Sequence, residues 1–510
     1  MSDGTPGGRT LSRPENLKSA EPTFVSSNRG TPSLAPTETC GTSHRFGPYW
    51  VDTLWFVIVA SLLRSVVVLW ASRRFPPAAD GTFYQVVASR IGQGLGYTWL
   101  WPDGVVTYAA HYPVGYPALL GGLYAAFGNA PVLAMWLNAL AGVVIVLSVH
   151  RMAIATLTRR AGIFAGVFAT LHPTLLFYTP AMMTELVSAC LLVGSAALVF
   201  CRAGERYSTY VTWGIVGLLT GLATLVRPQQ LLWAPILGAG VVYRSCMGLR
   251  GGRCCGASVL RAVLGAAIVT TISVSCCLPW TLRNCDKMQR CVFVSANGGW
   301  NLFIGTSPLG RGAWTSIDSI GVPKECRLVF KEAEKDNCFG EVAKRVIGAA
   351  PHAWLALVPA KLSKTFDDVG APGYYLNASN PAAFGEDAKW WLGAAEVFVQ
   401  RVLSIMAILA MALTEGSCRR GRWVLAVAGV LSTLVPYAWV GVGMYVLGVA
   451  LLGRRLRDEP TQMLLGLGWA MTAVVHSVFF GGARYAIVVA PLLVLAASRA
   501  LGHKVHGEPQ

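Results

Sequence analysis

Apolar residues in this chain gather in long unbroken blocks, without the alternation of half-buried strands or the heptads of a coiled coil. The first block, 51–71, is long enough to cross about 30 Å of hydrocarbon at about 1.5 Å per residue. Further blocks fall at roughly 131–149, 162–178, 186–201, 210–225, 230–243, 262–279, 397–413, 423–436, 437–453, 463–480 and 485–500. They predict about twelve membrane spans, within a range of roughly 10 to 13. The pairs around Pro228 and Pro436 read either as separate spans or as kinked or re-entrant helices. Residues 1–48 are rich in Ser, Thr, Pro and Gly and predict a disordered cytoplasmic tail. The remainder divides into an N-terminal transmembrane module at 49–279, an extracytoplasmic cap at 280–396 and C-terminal helices at 397–510. The module carries a first outer loop at 72–130, whose short apolar piece, 116–128, predicts a helix lying at the interface.

Composition narrows the class. Charged residues make up 13% of the 510 positions, against about 25% in soluble domains. That excludes a plain cytosolic enzyme, a disordered chain and a fibrous one. The fold class expected is an all-α polytopic membrane protein. Net charge is 42 − 25 = +17. In a soluble protein this would point to nucleic acid, but here the cations cluster in alternate loops. Arg151, Arg159 and Arg160; Arg202 and Arg206; Arg244, Arg250, Arg253 and Arg261; Arg419, Arg420 and Arg422; and Arg454, Arg455 and Arg457 fall together on one side. The asymmetry places both termini in the cytoplasm and leaves no need for a nucleic acid partner.

Thirteen cysteines in a chain of this length are too dilute for a disulfide scaffold. Cys285, Cys291, Cys326 and Cys338 share the second outer loop. One or two disulfides and four free thiols both fit them, and spacing does not choose a pairing. Cys246, Cys254 and Cys255 lack the matching His or Cys pair of a zinc site.

Ionisable residues on the outer side are few. Asp80 follows the first span in Pro76-Pro77-Ala78-Ala79-Asp80-Gly81, and an Asp before Gly commonly serves a turn or helix start. Glu185 begins a span, where the helix dipole favours a carboxylate and the membrane edge makes it costly unless it is partnered or used. Arg227, Arg283 and Arg484 stand at outer span ends, with Tyr485 beside the last. Snorkelling explains one such arginine; three on the side where arginine is scarce point to an anionic ligand, of which phosphate suits guanidinium best.

These elements, together with Gly94-Leu95-Gly96-Tyr97, His111-Tyr112-Pro113-Val114-Gly115-Tyr116-Pro117, Thr184-Glu185, Arg227-Pro228, Pro279-Trp280-Thr281-Leu282-Arg283-Asn284 and Arg484-Tyr485, resemble the GT-C membrane glycosyltransferases in matching order over roughly 50–500. The branch most similar is that of the protein O-mannosyltransferases and the lipid A aminoarabinose transferase. Many of these have Asp-Glu where this chain has Asp80-Gly81, and many have an arginine where it has Met135-Trp136. The resemblance implies a polyprenyl-phosphate sugar donor, with Asp80 as catalytic base and a glycan, lipid or protein acceptor on the extracytoplasmic side of a bacterial inner membrane. Glu185, His111, Tyr112, Arg227, Arg283, Arg484 and Tyr485 are the expected substrate-binding residues. No cofactor is expected, and no metal, since His111, Asp80 and Glu185 lack a ligand spacing. One base with attack from the opposite face implies inversion at the anomeric carbon.

Two other classes fit the same blocks: a lipid-linked sugar flippase or transporter, and a non-catalytic subunit of the same fold. A carrier places its charges near the bilayer midplane. Here the acids Asp80 and Glu185 lie at the outer edge instead. Asn297-Gly298-Gly299-Trp300-Asn301 reads as a turn carrying a buried Trp, or as an aromatic platform for a sugar. Arg64 and His476 fall inside spans and read as buried polar contacts or snorkelling residues.

Overall fold

The computed structural model describes residues 49–201, 208–247, 256–415, 418–453 and 459–502. The expected tail at 1–48, the arginines at 202, 206, 250, 253, 454, 455 and 457, and Cys254 and Cys255 lie outside the described residues.

The described chain is mostly helical. Among these residues six helices are long and apolar enough to cross a membrane: Trp50–Ala71, Val132–Thr156, Thr209–Val226, Val259–Lys287, Glu386–Leu413 and Ala483–Leu501. Glu185–Phe200 and Ala438–Ala450 are shorter apolar helices. Each of the twelve apolar blocks contains a helix, of which these six have the length and apolarity of a span; prolines mark one break inside a block and two boundaries between blocks. Pro173 divides the block at 162–178 into Arg159–Leu171 and Pro173–Phe177. At Pro228 the chain leaves Thr209–Val226 for a 3-10 turn, Pro228–Leu232, before Trp233–Met247 begins. Arg419–Leu434 ends just before Pro436, and Ala438–Ala450 follows it. Pro279 is tolerated inside one helix, Gly256–Lys287, which runs beyond the expected end at 279.

The first long connection folds into a helix, Asp80–Gly92, a two-stranded hairpin, Thr98–Leu100 with Val106–Tyr108, and a helix, Gly115–Phe127. The block at 116–128 is therefore helical, and it packs on Asp80–Gly92 through Tyr84, Ala88, Leu120 and Tyr124. Gly115 is required by close approach. A Cβ there would stand 2.6 Å from the backbone of Leu225 and Val226, just before Arg227. The second connection contains the helices Gly298–Thr306, Glu332–Ala349, Val358–Phe366 and Ala371–Ser379. Its cysteines pair as Cys285–Cys291 and Cys326–Cys338. The main core is continuous from the long helices to a set of buried tyrosines, Tyr84, Tyr116, Tyr178 and Tyr375.

Candidate active site

The charged residues of the site sit at helix ends. Asp80 and Glu185 are the first residues of Asp80–Gly92 and Glu185–Phe200, where exposed N–H groups favour negative charge. Arg227 caps the C-terminus of Thr209–Val226, and Arg484 lies in the 3-10 segment Ala483–Val489. Residues 404 positions apart meet: Arg484 Nη1 donates to Asp80 Oδ2 at 2.6 Å. Tyr112 Oη donates to the other carboxylate oxygen at 2.9 Å. Behind this pair, Arg227 Nη1 contacts Glu185 Oε1 at 2.6 Å, and Tyr178 Oη donates to Glu185 Oε2 at 3.1 Å. Arg484 Nε is 3.9 Å from Glu185 Oε1, so the buried acid faces both guanidinium groups. Tyr375 Oη accepts from Arg484 at 2.8 Å, and the Tyr485 ring lies against Arg227 and Arg484 at 5.6 and 5.2 Å.

The two acids differ in access. The Asp80 and Arg484 side chains keep 24% and 26% of their exposure, whereas Glu185 keeps 1%. Burial alone would raise the Asp80 carboxyl, but Arg484 and then Tyr112 outweigh it and hold the group below its ordinary value. Asp80 is therefore ionised at neutral pH and keeps part of its carboxylate in contact with solvent. Ala79, before it, has φ 52°, a left-handed conformation rare for a residue with a Cβ. Strain of this kind beside Asp80 marks a position fixed by its surroundings.

No family model matches the chain, and neither does any curated protein. In backbone it is similar, at low identity, to several solved structures. One is the oligosaccharyltransferase AglB of Archaeoglobus fulgidus, in complex with an inhibitory peptide and a dolichol-phosphate: TM-score 0.42 and 14% identity, over 89% of this chain and 50% of that one. Another is ArnT of Cupriavidus metallidurans bound to undecaprenyl phosphate: TM-score 0.37 and 15% identity, over 89% of this chain and 78% of that one. The chain thus spans about half the length of the archaeal protein.

Of the eight expected site residues, Asp80, Tyr112, Glu185, Arg227, Arg484 and Tyr485 come together in this network. His111 lies at its edge, with its ring 4.8 Å from Tyr112 and 5.4 Å from Trp300; burial pushes its imidazole down to about 4, so it is neutral. Arg283 stands apart from the carboxylates. Its guanidinium donates to the carbonyls of Tyr97 and Ala109, both at 2.8 Å, and packs on Trp280. It secures the first connection, so of the three arginines expected at the site only Arg227 and Arg484 lie beside Asp80 and Glu185. Trp300 resolves as a half-buried wall, packed on His111 and Phe339, in the helix that follows Asn297. His476 stacks on Tyr485 at 3.9 Å and fixes that ring over the arginines, while Arg64 is buried in the first helix against Gly142. Tyr178 and Tyr375 join the network without a local sequence signal. Tyr178 lies seven residues before Glu185, a spacing without meaning until the chain turns at 179–184; Tyr375 arrives from the second connection with no local signal. Among the described residues no group of three or more His, Cys, Asp or Glu is arranged to hold a metal ion.

Proposed function

We propose that the chain is a membrane glycosyltransferase. It transfers a sugar from a polyprenyl-phosphate donor to an acceptor hydroxyl on the extracytoplasmic side, with inversion. The observation that carries this reading is the partly open Asp80–Arg484 pair, backed by the buried Glu185–Arg227 pair. Asp80 takes the proton of the acceptor hydroxyl as the acceptor oxygen bonds to the anomeric carbon. The bond from that carbon to the phosphate oxygen breaks, and polyprenyl phosphate leaves with its charge stabilised by Arg484 and, behind it, Arg227. An arriving phosphate competes with Asp80 for Arg484, so donor binding releases the carboxylate for work as a base. Glu185 has a positioning role: it holds the two guanidinium groups side by side. Tyr112 and Tyr375 orient Asp80 and Arg484 through their hydroxyls.

The test is sugar transfer from a polyprenyl-phosphate monosaccharide by membranes containing Asp80→Asn at equal expression. Loss by about 10²–10⁴-fold is expected. Transfer at the parental rate, or a product retaining the donor's anomeric configuration, would overturn the assignment.

A further inference from the structure

A row of aromatic rings leaves Asp80 and runs outward along the first connection. Tyr112, bonded to Asp80, packs on Phe83 at 4.8 Å between ring centres. Phe83 stacks nearly parallel on Trp99, 4.9 Å away at 15°. Trp99 meets Trp101 edge-on at 6.4 Å. The hairpin fixes which rings share a face. Trp99 is paired with Thr107, and Trp101 N–H donates to the Val105 carbonyl, so Trp99, Trp101, Val105 and Thr107 lie on one side. Trp101 Nε1 donates to Thr107 Oγ1 at 3.0 Å, which holds the indole in place although it is 49% exposed.

We infer that this row is the acceptor subsite and that the acceptor is an uncharged glycan chain. The inference rests on the reading of Asp80 as the base. Sugar rings present a face of polarised C–H groups, which the negative face of an aromatic ring attracts, while their hydroxyls stay with water. A row of rings that is partly exposed and ends at a base suits a ligand that repeats along its length. Charge supports an uncharged chain. Asp80 stands at one end of the row and Asp103 at the hairpin turn, its carboxylate accepting from Val105 N–H at 3.1 Å. The nearby cations are already engaged: Arg283 lies over Tyr97 and Tyr108, Lys287 over Tyr108, Arg90 donates to Thr98, and Arg484 is held by Asp80. An aspartate at the tip also disfavours insertion of the hairpin into a bilayer, where a carboxylate is costly.

The experiment uses the full chain in nanodiscs, labelled with 5-fluorotryptophan, with the Trp101 resonance assigned by its loss in Trp101→Phe. Neutral gluco-, manno- and arabino-oligosaccharides of increasing length are titrated. For at least one series the Trp101 signal shifts, with affinity rising with length. Trp99→Ala weakens binding, read by saturation-transfer NMR, at least 10-fold, whereas Trp101→Tyr keeps most of it. An error about the base is seen separately, as sugar transfer surviving in Asp80→Asn. The inference is overturned if no series binds, if Trp99→Ala and Trp101→Ala bind like the parent, or if spin-labelled lipid broadens the Trp101 signal, which would make the hairpin a bilayer contact.

Discussion

At Asp80, two effects oppose each other. Burial favours the neutral acid; the 2.6 Å contact with Arg484 and the Tyr112 hydroxyl favour the anion and win. A base works only when deprotonated, so transfer is lost as pH falls through the Asp80 pKa. In the parent that limb lies below the ordinary aspartate value of about 3.9. In Arg484→Gln burial goes unopposed by that cation, and the limb moves toward neutral pH. The same variant loses about 10²–10³-fold in kcat through the missing phosphate contact. A pH–rate profile of the two proteins checks this; an acid limb at the same position in both contradicts it. Ala79 supplies a second residue-scale prediction from its φ of 52°. Ala79→Gly is expected to fold at least as well as the parent, and Ala79→Val to lose about 1–3 kcal/mol in thermal unfolding.

Between elements, the second connection is latched to the first. Glu332, the first residue of Glu332–Ala349, accepts from the Ala110 N–H, next to His111 and Tyr112. Burial raises its carboxyl to about 7, against the Ala110 and His111 N–H groups and Arg283, which lower it. Its folded pKa thus lies above the unfolded value of about 4.3. The stability it contributes is full below that value and is lost as pH rises through about 7. Thermal melting from pH 5 to 8 should therefore fall more steeply in the parent than in Glu332→Gln; parallel curves would remove the latch. The segment ahead of Arg484 is held as tightly. Lys361 Nζ donates to the carbonyls of Ser477 and Val478, both at 3.2 Å, at the end of Pro460–Val478. Gly481 N–H donates to Gly312, and a Cβ on Gly481 would collide with the Lys361 carbonyl. This packing sets the direction in which Arg484 leaves the backbone.

Across the molecule, the sequence reveals helices and charges better than it reveals meetings. Apolar blocks mark where helices form, since burial in lipid or core requires them. They do not mark helix length: each block holds a helix, but only six of these helices are long and apolar enough to span among the described residues, and Pro173 splits one block in two. Asp80, Glu185, Arg227 and Arg484 stand out because ionisable groups are scarce near span ends. Arg283 has the same local signature, yet the fold uses it on backbone carbonyls; only the course of the hairpin separates it from the others. Tyr178, Tyr375 and the Trp99–Trp101 row depend on contacts between distant segments and have no local pattern. The arginine asymmetry makes a prediction at this scale. Cys418, free and exposed beside Arg419 and Arg420, should react with a permeant thiol reagent and resist an impermeant one applied to intact cells. Labelling from outside would invert the orientation.

The acid–cation pair of Asp80 and Arg484 has to act in chemistry and not in folding alone. Single-turnover sugar transfer by Asp80→Asn, with donor binding measured in the same nanodisc samples, addresses this directly. Donor binding that persists while transfer falls by about 10²-fold or more is the expected result. Parallel loss of both, or transfer at the parental rate, contradicts a catalytic carboxylate at position 80.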